Sequence, residues 1–170
     1  MHVRTIGVVA VATLVAAGAY AQSVNTDADP SAPFSSYRTY SWTPGTPSPV
    51  SLTEQRIHAD VESQMSGKGM RLAQPNEAPD VYVATHVLAT TQPELVANGF
   101  GPWGFSGYGA IDVKTLVKGT LVVDMYDAKT RKMVWRGVAT ATVSDKASKN
   151  SAKLDKALEK MFKRYPPSSN

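Results

Sequence analysis

Aromatic and polar side chains alternate over residues 37–42, which puts Tyr40 and Trp42 on one face of an extended segment with Arg38. At residue 51 the period changes. Ile57, Val61 and Met65 recur every fourth position and make one apolar stripe, so the pattern predicts a helix over 51–67. Ser51 and Glu54 fit a capping box at its start, and Gly67 is placed to end it in a left-handed conformation. Residues 70–73 read as a short strand. Period two returns over 80–89, with Val81, Val83, Thr85 and Val87 on one face and Tyr82, Ala84 and His86 on the other. Residues 22–36 read as turn-rich, 43–49 and 74–79 as proline-bearing loops, and 90–110 as an irregular glycine-aromatic loop with no usable period.

Two further strands are predicted over 115–126 and 132–143, joined by a hairpin loop at 127–131. With Ala128 opposite Lys132, Met125 meets Trp135, Val123 meets Gly137 and Leu121 meets Ala139. Large residues then face small ones under a helix. The same register sets Asp124 opposite Arg136 on the other face, and a one-residue slip would destroy both patterns. The last helix is predicted over 146–165. Ala147, Leu154, Leu158, Met161, Phe162 and Tyr165 form its apolar side, and Lys149, Lys153, Lys156, Lys160 and Lys163 form a basic ridge opposite. Pro166 and Pro167 stop it. The expected fold is therefore α+β, an antiparallel sheet with two helices packed on one face. Tyr40, Trp42, Asp124, Trp135, Arg136 and Gly137 are its expected structural residues.

The N-terminus adds an address. A basic start with Arg4, a short apolar run over 6–17 and the small-x-small pattern Ala19-Tyr20-Ala21 predict a cleavable signal peptide over 1–21. One domain over 22–165 and a short tail over 166–170 follow. The run is short for a membrane span, and no stop-transfer segment is expected downstream. The expected location is the periplasm or the exterior, possible docking on the outer membrane included. No cysteine occurs in the 170 residues, so a lipoprotein-type anchor, disulfides, thiolate metal sites and a cysteine nucleophile are excluded. The formal charge of +4 is too mild to imply nucleic acid.

The stretches Asp27-x-Asp29-Pro30-Ser31-Ala32-x-Phe34-Ser35-x-Tyr37-Arg38-Thr39-Tyr40-x-Trp42, Asp80-Val81-Tyr82-Val83, Leu121-Val122-Val123-Asp124-Met125-Tyr126-Asp127 with Val134-Trp135-Arg136-Gly137, and a closing helix ending in Phe162 and Tyr165-Pro166-Pro167 carry a family pattern. The chain resembles the bacterial envelope family catalogued as domain of unknown function 4136. Members of that family often carry a glycine-aromatic insert where residues 99–109 lie. The resemblance implies the fold and the compartment. It transfers no activity, catalytic residue or cofactor, and without a cysteine it transfers no lipid tether.

Gly99-Phe100-Gly101-Pro102-Trp103-Gly104 spells G-x-G-x-x-G, yet its flanks supply neither the strand nor the helix start that a dinucleotide site needs. Phe100, Trp103, Phe105 and Tyr108 are a better lead. On a loop they could stack on sugars or dip into a membrane interface, and the plainer reading is that they cover a sheet edge. Ser106 misses the nucleophile-elbow pattern by one residue. His58 is expected to pair with Glu62, and His86 to be a half-buried mid-strand partner. Asp27 and Asp29 lack the rest of a calcium loop. No catalytic residue, cofactor site or metal site is assigned. The lysine ridge points to anionic envelope components or another envelope protein as partner, against the plainer reading of a solvated face. The expected function is a non-catalytic binding or scaffolding module of the envelope. The alternatives are a hydrolase of an envelope glycan or ester, and a structural subunit pairing through a sheet edge.

Overall fold

The computed structural model describes residues 22–98 and 110–167, with side chains from 22–95 and 113–167. The expected signal peptide over 1–21 and the aromatic loop residues Phe100, Trp103, Phe105, Ser106 and Tyr108 lie outside the described residues.

The chain runs β1 (Ser23–Ala28), β2 (Thr39–Trp42), α1 (Ser51–Gly67), β3 (Arg71–Leu72), β4 (Val81–Asn98), β5 (Ala110–Asp127), β6 (Met133–Thr142) and α2 (Ala147–Phe162). This is the expected α+β arrangement. The six strands form one open sheet in the order β1-β6-β5-β4-β2-β3. The sheet is mixed rather than wholly antiparallel, because β2 runs parallel to both β3 and β4. Parallel neighbours need a crossover, and α1 supplies it between β2 and β3.

Three local expectations change. Residues 23–28 are not turn but an edge strand, antiparallel to β6 from Ser23 opposite Thr140 to Ala28 opposite Trp135. An edge strand with one polar face carries little hydrophobic signal, which hides it in the sequence. Glu54 does not close a capping box with Ser51. Its carboxylate accepts the Ser48 amide at 2.7 Å, so the acid secures the incoming loop instead. The left-handed residue after α1 is Gly69, φ 78°, two positions beyond Gly67.

The helices cover one face of the sheet. Ile57, Val61 and Met65 of α1 and Leu158, Met161 and Phe162 of α2 are fully buried against Val81, Val83, Val123, Met125 and Trp135. Each such side chain contributes about 1.5–3 kcal/mol by leaving water. Trp135 sits 5.5 Å, centroid to centroid, from both Phe162 and Tyr165. Ala147, expected on the apolar side, is exposed at the start of α2.

The hairpin register holds from Leu121 opposite Ala139 through Met125 opposite Trp135. It then shifts, and Tyr126 faces Met133. The extra residue is Val134, a bulge that turns both Val134 and Trp135 into the core, so Ala128 does not oppose Lys132.

Two carboxylates tie the strand ends. Asp80 accepts the amides of Arg38 and Thr39 at 2.8 and 2.9 Å where β2 meets β4. Burial pushes the Asp80 carboxyl up, and those two amides with the Thr39 hydroxyl more than reverse it, for a net lowering. Asp127 closes the hairpin. The Thr130 amide, the first cause, lowers its carboxyl, with help from the Thr130 and Tyr37 hydroxyls. A carboxyl lowered by folding stabilises the protein above its unfolded value and loses that contribution as pH falls through the folded value. The urea midpoint is therefore expected to be level from pH 5 to 8 and to drop below about pH 4. Asp80→Asn and Asp127→Asn should each lower the midpoint at pH 7 and flatten the acid slope. An unchanged slope in both variants would contradict the assignment.

Candidate functional site

The sheet face away from the helices holds a polar cluster that period-two alternation places there. Asp124 and Tyr126 of β5, Tyr82, Ala84 and His86 of β4, and Arg136 of β6 all point to this side. Asp124 is fully buried. Arg136 grips it with two bonds, Nε to Oδ1 and Nη2 to Oδ2, both 2.6 Å. This is the expected cross-strand pair, with the carboxylate deeper than a surface pair would place it. The Tyr126 hydroxyl donates to Asp124 Oδ2 at 3.3 Å. Burial first, then the Asp124 charge, pushes that hydroxyl up, so it stays protonated.

His86 approaches from β4. Its Nδ1 accepts the Thr46 amide at 3.1 Å and lies 3.1 Å from the Thr46 hydroxyl. The neutral ring then carries its proton on Nε2, which faces Asp124 Oδ2 at 3.6 Å, beyond hydrogen-bond length. Thr46 reaches His86 because residues 43–46 run on beside β4 after β2 ends. The Thr43 amide bonds the Val83 carbonyl and the Val87 amide bonds the Thr46 carbonyl. Gly45 permits this approach, since a Cβ there would overlap the Thr85 carbonyl.

These elements enclose a shallow cleft of about 250 Å³, lined by Thr43, Pro44, Tyr82, Ala84, His86, Tyr126 and Arg131. Tyr82 and Tyr126 are direct cross-strand partners. The Arg131 guanidinium lies 4.8 Å from the centroid of the Tyr82 ring. Arg131 follows the hairpin loop with φ 63°, a left-handed backbone. Among the described residues no carboxylate pairs with it.

A second feature leaves the sheet. β4 and β5 pair along their full lengths, from Val81 opposite Asp127 to Asn98 opposite Ala110. The last contact of β6 reaches only Val117. Beyond it the two strands form a ribbon of about 24 Å. Residues 90–98 and 110 are thus strand rather than loop, and β5 begins at Ala110 rather than at the expected 115. The period-two signal fails there because Thr90, Thr91 and Gln92 follow one another and Pro93 interrupts. Past Val87 the strand is an edge, where proline is tolerated. On the ribbon, Leu95 faces Val113, and they are 72% and 63% exposed. Val117 shares their side. Glu94 is opposite Lys114 on the other side.

The remaining expected site residues are scattered. Tyr40 is buried in the core, and Trp42 stacks on His58 at 4.1 Å and donates to Glu62 at 3.0 Å. His58 pairs with Glu54 at 3.1 Å rather than with Glu62, because Glu62 is taken by the Trp42 indole. Lys149, Lys156, Lys160 and Lys163 are exposed. Lys153 is not part of an outward ridge. Its Nζ is held by the Thr142 carbonyl at 2.6 Å, which turns the stem toward the sheet. Lys160, Lys163 and Arg164 line a second hollow with Gln22 and Val24. Among the described residues no group of three or more metal-ligating side chains gathers, and no helix is long and apolar enough to cross a membrane. Sequence reasoning missed Thr46, Tyr126 and Arg131 as site residues. The shared parity of Tyr126 with Asp124, and of Tyr82 with His86, was the available signal.

No curated protein matches the chain. Among solved structures it resembles a DUF4136 family protein from Bacteroides thetaiotaomicron, with TM-score 0.58 and 19% identity, covering 85% of this chain and 96% of that one. It also resembles a PDZ domain protein from Parabacteroides distasonis, with TM-score 0.54 and 14% identity over 88% of this chain. It spans only 37% of that protein. PelC from Paraburkholderia phytofirmans, crystallised as a dodecamer, matches with TM-score 0.50 and 12% identity over 84% of this chain and 99% of that one. At these identities the likeness is one of fold. The family model for DUF4136, a domain of unknown function, matches residues 24–167, which is nearly all of the described chain, and the protein belongs to that family.

Proposed function

We propose that this protein is an exported, non-catalytic assembly module of the bacterial envelope, and that it associates with further copies of itself through the β4–β5 ribbon. The carrying observation is the apolar side of that ribbon, with Leu95 and Val113 paired and exposed beyond the last contact of β6. A two-stranded ribbon is marginal in water by itself, and packing its apolar side on another surface stabilises it. A second copy suits it, since an amphipathic ribbon with open edges is complementary to itself. The dodecameric assembly of PelC, a protein of the same fold, makes self-association the occupancy to test first. Export rests on the leader pattern ending in Ala19-Tyr20-Ala21. The exposed Lys149, Lys156, Lys160 and Lys163 would give such an assembly a positive face toward anionic envelope components.

The test is the solution mass of the exported protein by light scattering. The wild type is expected to be oligomeric at micromolar concentration. The triple variant Leu95→Thr, Val113→Thr, Val117→Thr, which keeps strand propensity, is expected to be monomeric with its fold intact. A monomeric wild type, or a variant that assembles equally well, would remove the reading.

A further inference from the structure

We propose that the cleft between Tyr82 and Tyr126 binds one sugar ring bearing a carboxylate, a uronic acid, with Arg131 as its anchor. Size sets the first bound. A volume of about 250 Å³ lies just under the ~300–1,000 Å³ of sites for drug-sized ligands, which leaves room for a single ring. Charge sets the second. The buried Asp124 is matched by Arg136, while no carboxylate among the described residues matches Arg131. The cleft therefore presents one uncompensated cation.

Arg131 is also placed as an anchor. Its guanidinium lies over the Tyr82 ring at 4.8 Å, a contact that steadies the planar fork a carboxylate accepts in bidentate fashion. Its backbone is left-handed, a conformation glycine takes without strain. The chain instead carries an arginine there, and its side chain reaches back over Tyr82. The rest of the lining suits a sugar better than an arene. Tyr126 and Pro44 offer apolar surface for the ring, and Thr43 offers a polar group for hydroxyls.

The experiment is titration calorimetry of the purified protein at pH 7 with glucuronate, methyl glucoside, benzoate and acetate. Glucuronate is expected to bind, and the neutral glucoside, the arene and acetate each at least about tenfold more weakly, the loss expected when a charge-assisted contact or the ring platform is missing. Arg131→Gln should weaken glucuronate by a similar factor. Arg131→Gly should do the same while its thermal midpoint stays level or rises, because glycine relieves the backbone. That pairing separates a ligand anchor from a structural residue. Equal binding of the methyl glucoside, tighter binding of benzoate, unchanged affinity in both Arg131 variants, or no heat with glucuronate at tens of millimolar would each overturn the proposal.

Discussion

Arg136→Met is expected to remove about 3–5 kcal/mol of stability, the usual consequence of deleting one partner of a buried ion pair. Asp124 is fully buried and takes two 2.6 Å bonds from Arg136. After the substitution its carboxylate keeps only the Tyr126 hydroxyl at 3.3 Å and an imidazole at 3.6 Å. Neither replaces a guanidinium, so the charge is left in a poor environment. Arg136 itself is 45% exposed along its side chain, which returns some of the loss by letting water reach the site. The double variant Asp124→Leu, Arg136→Met removes both charges and should recover most of the stability. A double-mutant cycle by urea denaturation measures the coupling directly. If the single variant costs less than about 1 kcal/mol, the pair behaves as an ordinary surface bridge.

The Asp124–Arg136 pair also shows what was legible in the sequence. Strand parity and the large-to-small pattern across 121–125 and 135–139 sufficed to find the register, because a slip by one residue would have exposed Met125 and buried Arg136. Both helices were legible for a related reason, since each carries one long apolar stripe. The rest was hidden by physics that does not write itself into local periodicity. The β1 strand has only two apolar residues, Val24 and the small Ala28, and is specified by pairing with β6. The ribbon beyond Val87 is held by its partner strand, with no core to demand alternation. The Val134 bulge is a three-dimensional adjustment that turns two successive side chains inward.

The candidate cleft was half legible. Tyr82, His86, Asp124 and Tyr126 share a sheet face by simple alternation. The pieces that complete it came from non-local backbone. Residues 43–46 read as a proline loop, and they are one, yet their amides and carbonyls extend the sheet and bring Thr46 to His86. Arg131 read as a turn residue, and only its left-handed backbone aims it at Tyr82. One lysine of the expected ridge departs for the opposite reason. Helical spacing gave Lys153 the right angle, but its flexible stem found the Thr142 carbonyl.

Gly137→Ala is expected to destabilise the protein by about 1–3 kcal/mol, the range for overpacking a well-filled core. Gly137 lies opposite Val123 in the hairpin, on the face that α2 covers. A Cβ there would overlap Cγ and Sδ of Met161 and come within 2.7 Å of Trp135 Cη2. Met161 and Trp135 are both buried, and Trp135 is wedged against Phe162 and Tyr165, so neither can move far. The strain should therefore pass to α2 as a whole and shift it outward. A smaller partner offers the check. In the Gly137→Ala, Met161→Ala double variant the two shortest contacts are gone and only the approach to Trp135 remains, so the added cost of the alanine at 137 should fall against a Met161→Ala background. Met161→Ala by itself should cost about 2–5 kcal/mol through the cavity it leaves. The measured quantity is the coupling between the two positions by chemical denaturation. Additive costs would mean that α2 does not rest on Gly137, and a negative coupling of 1 kcal/mol or more would show that the absent side chain is what lets the helix close onto the sheet.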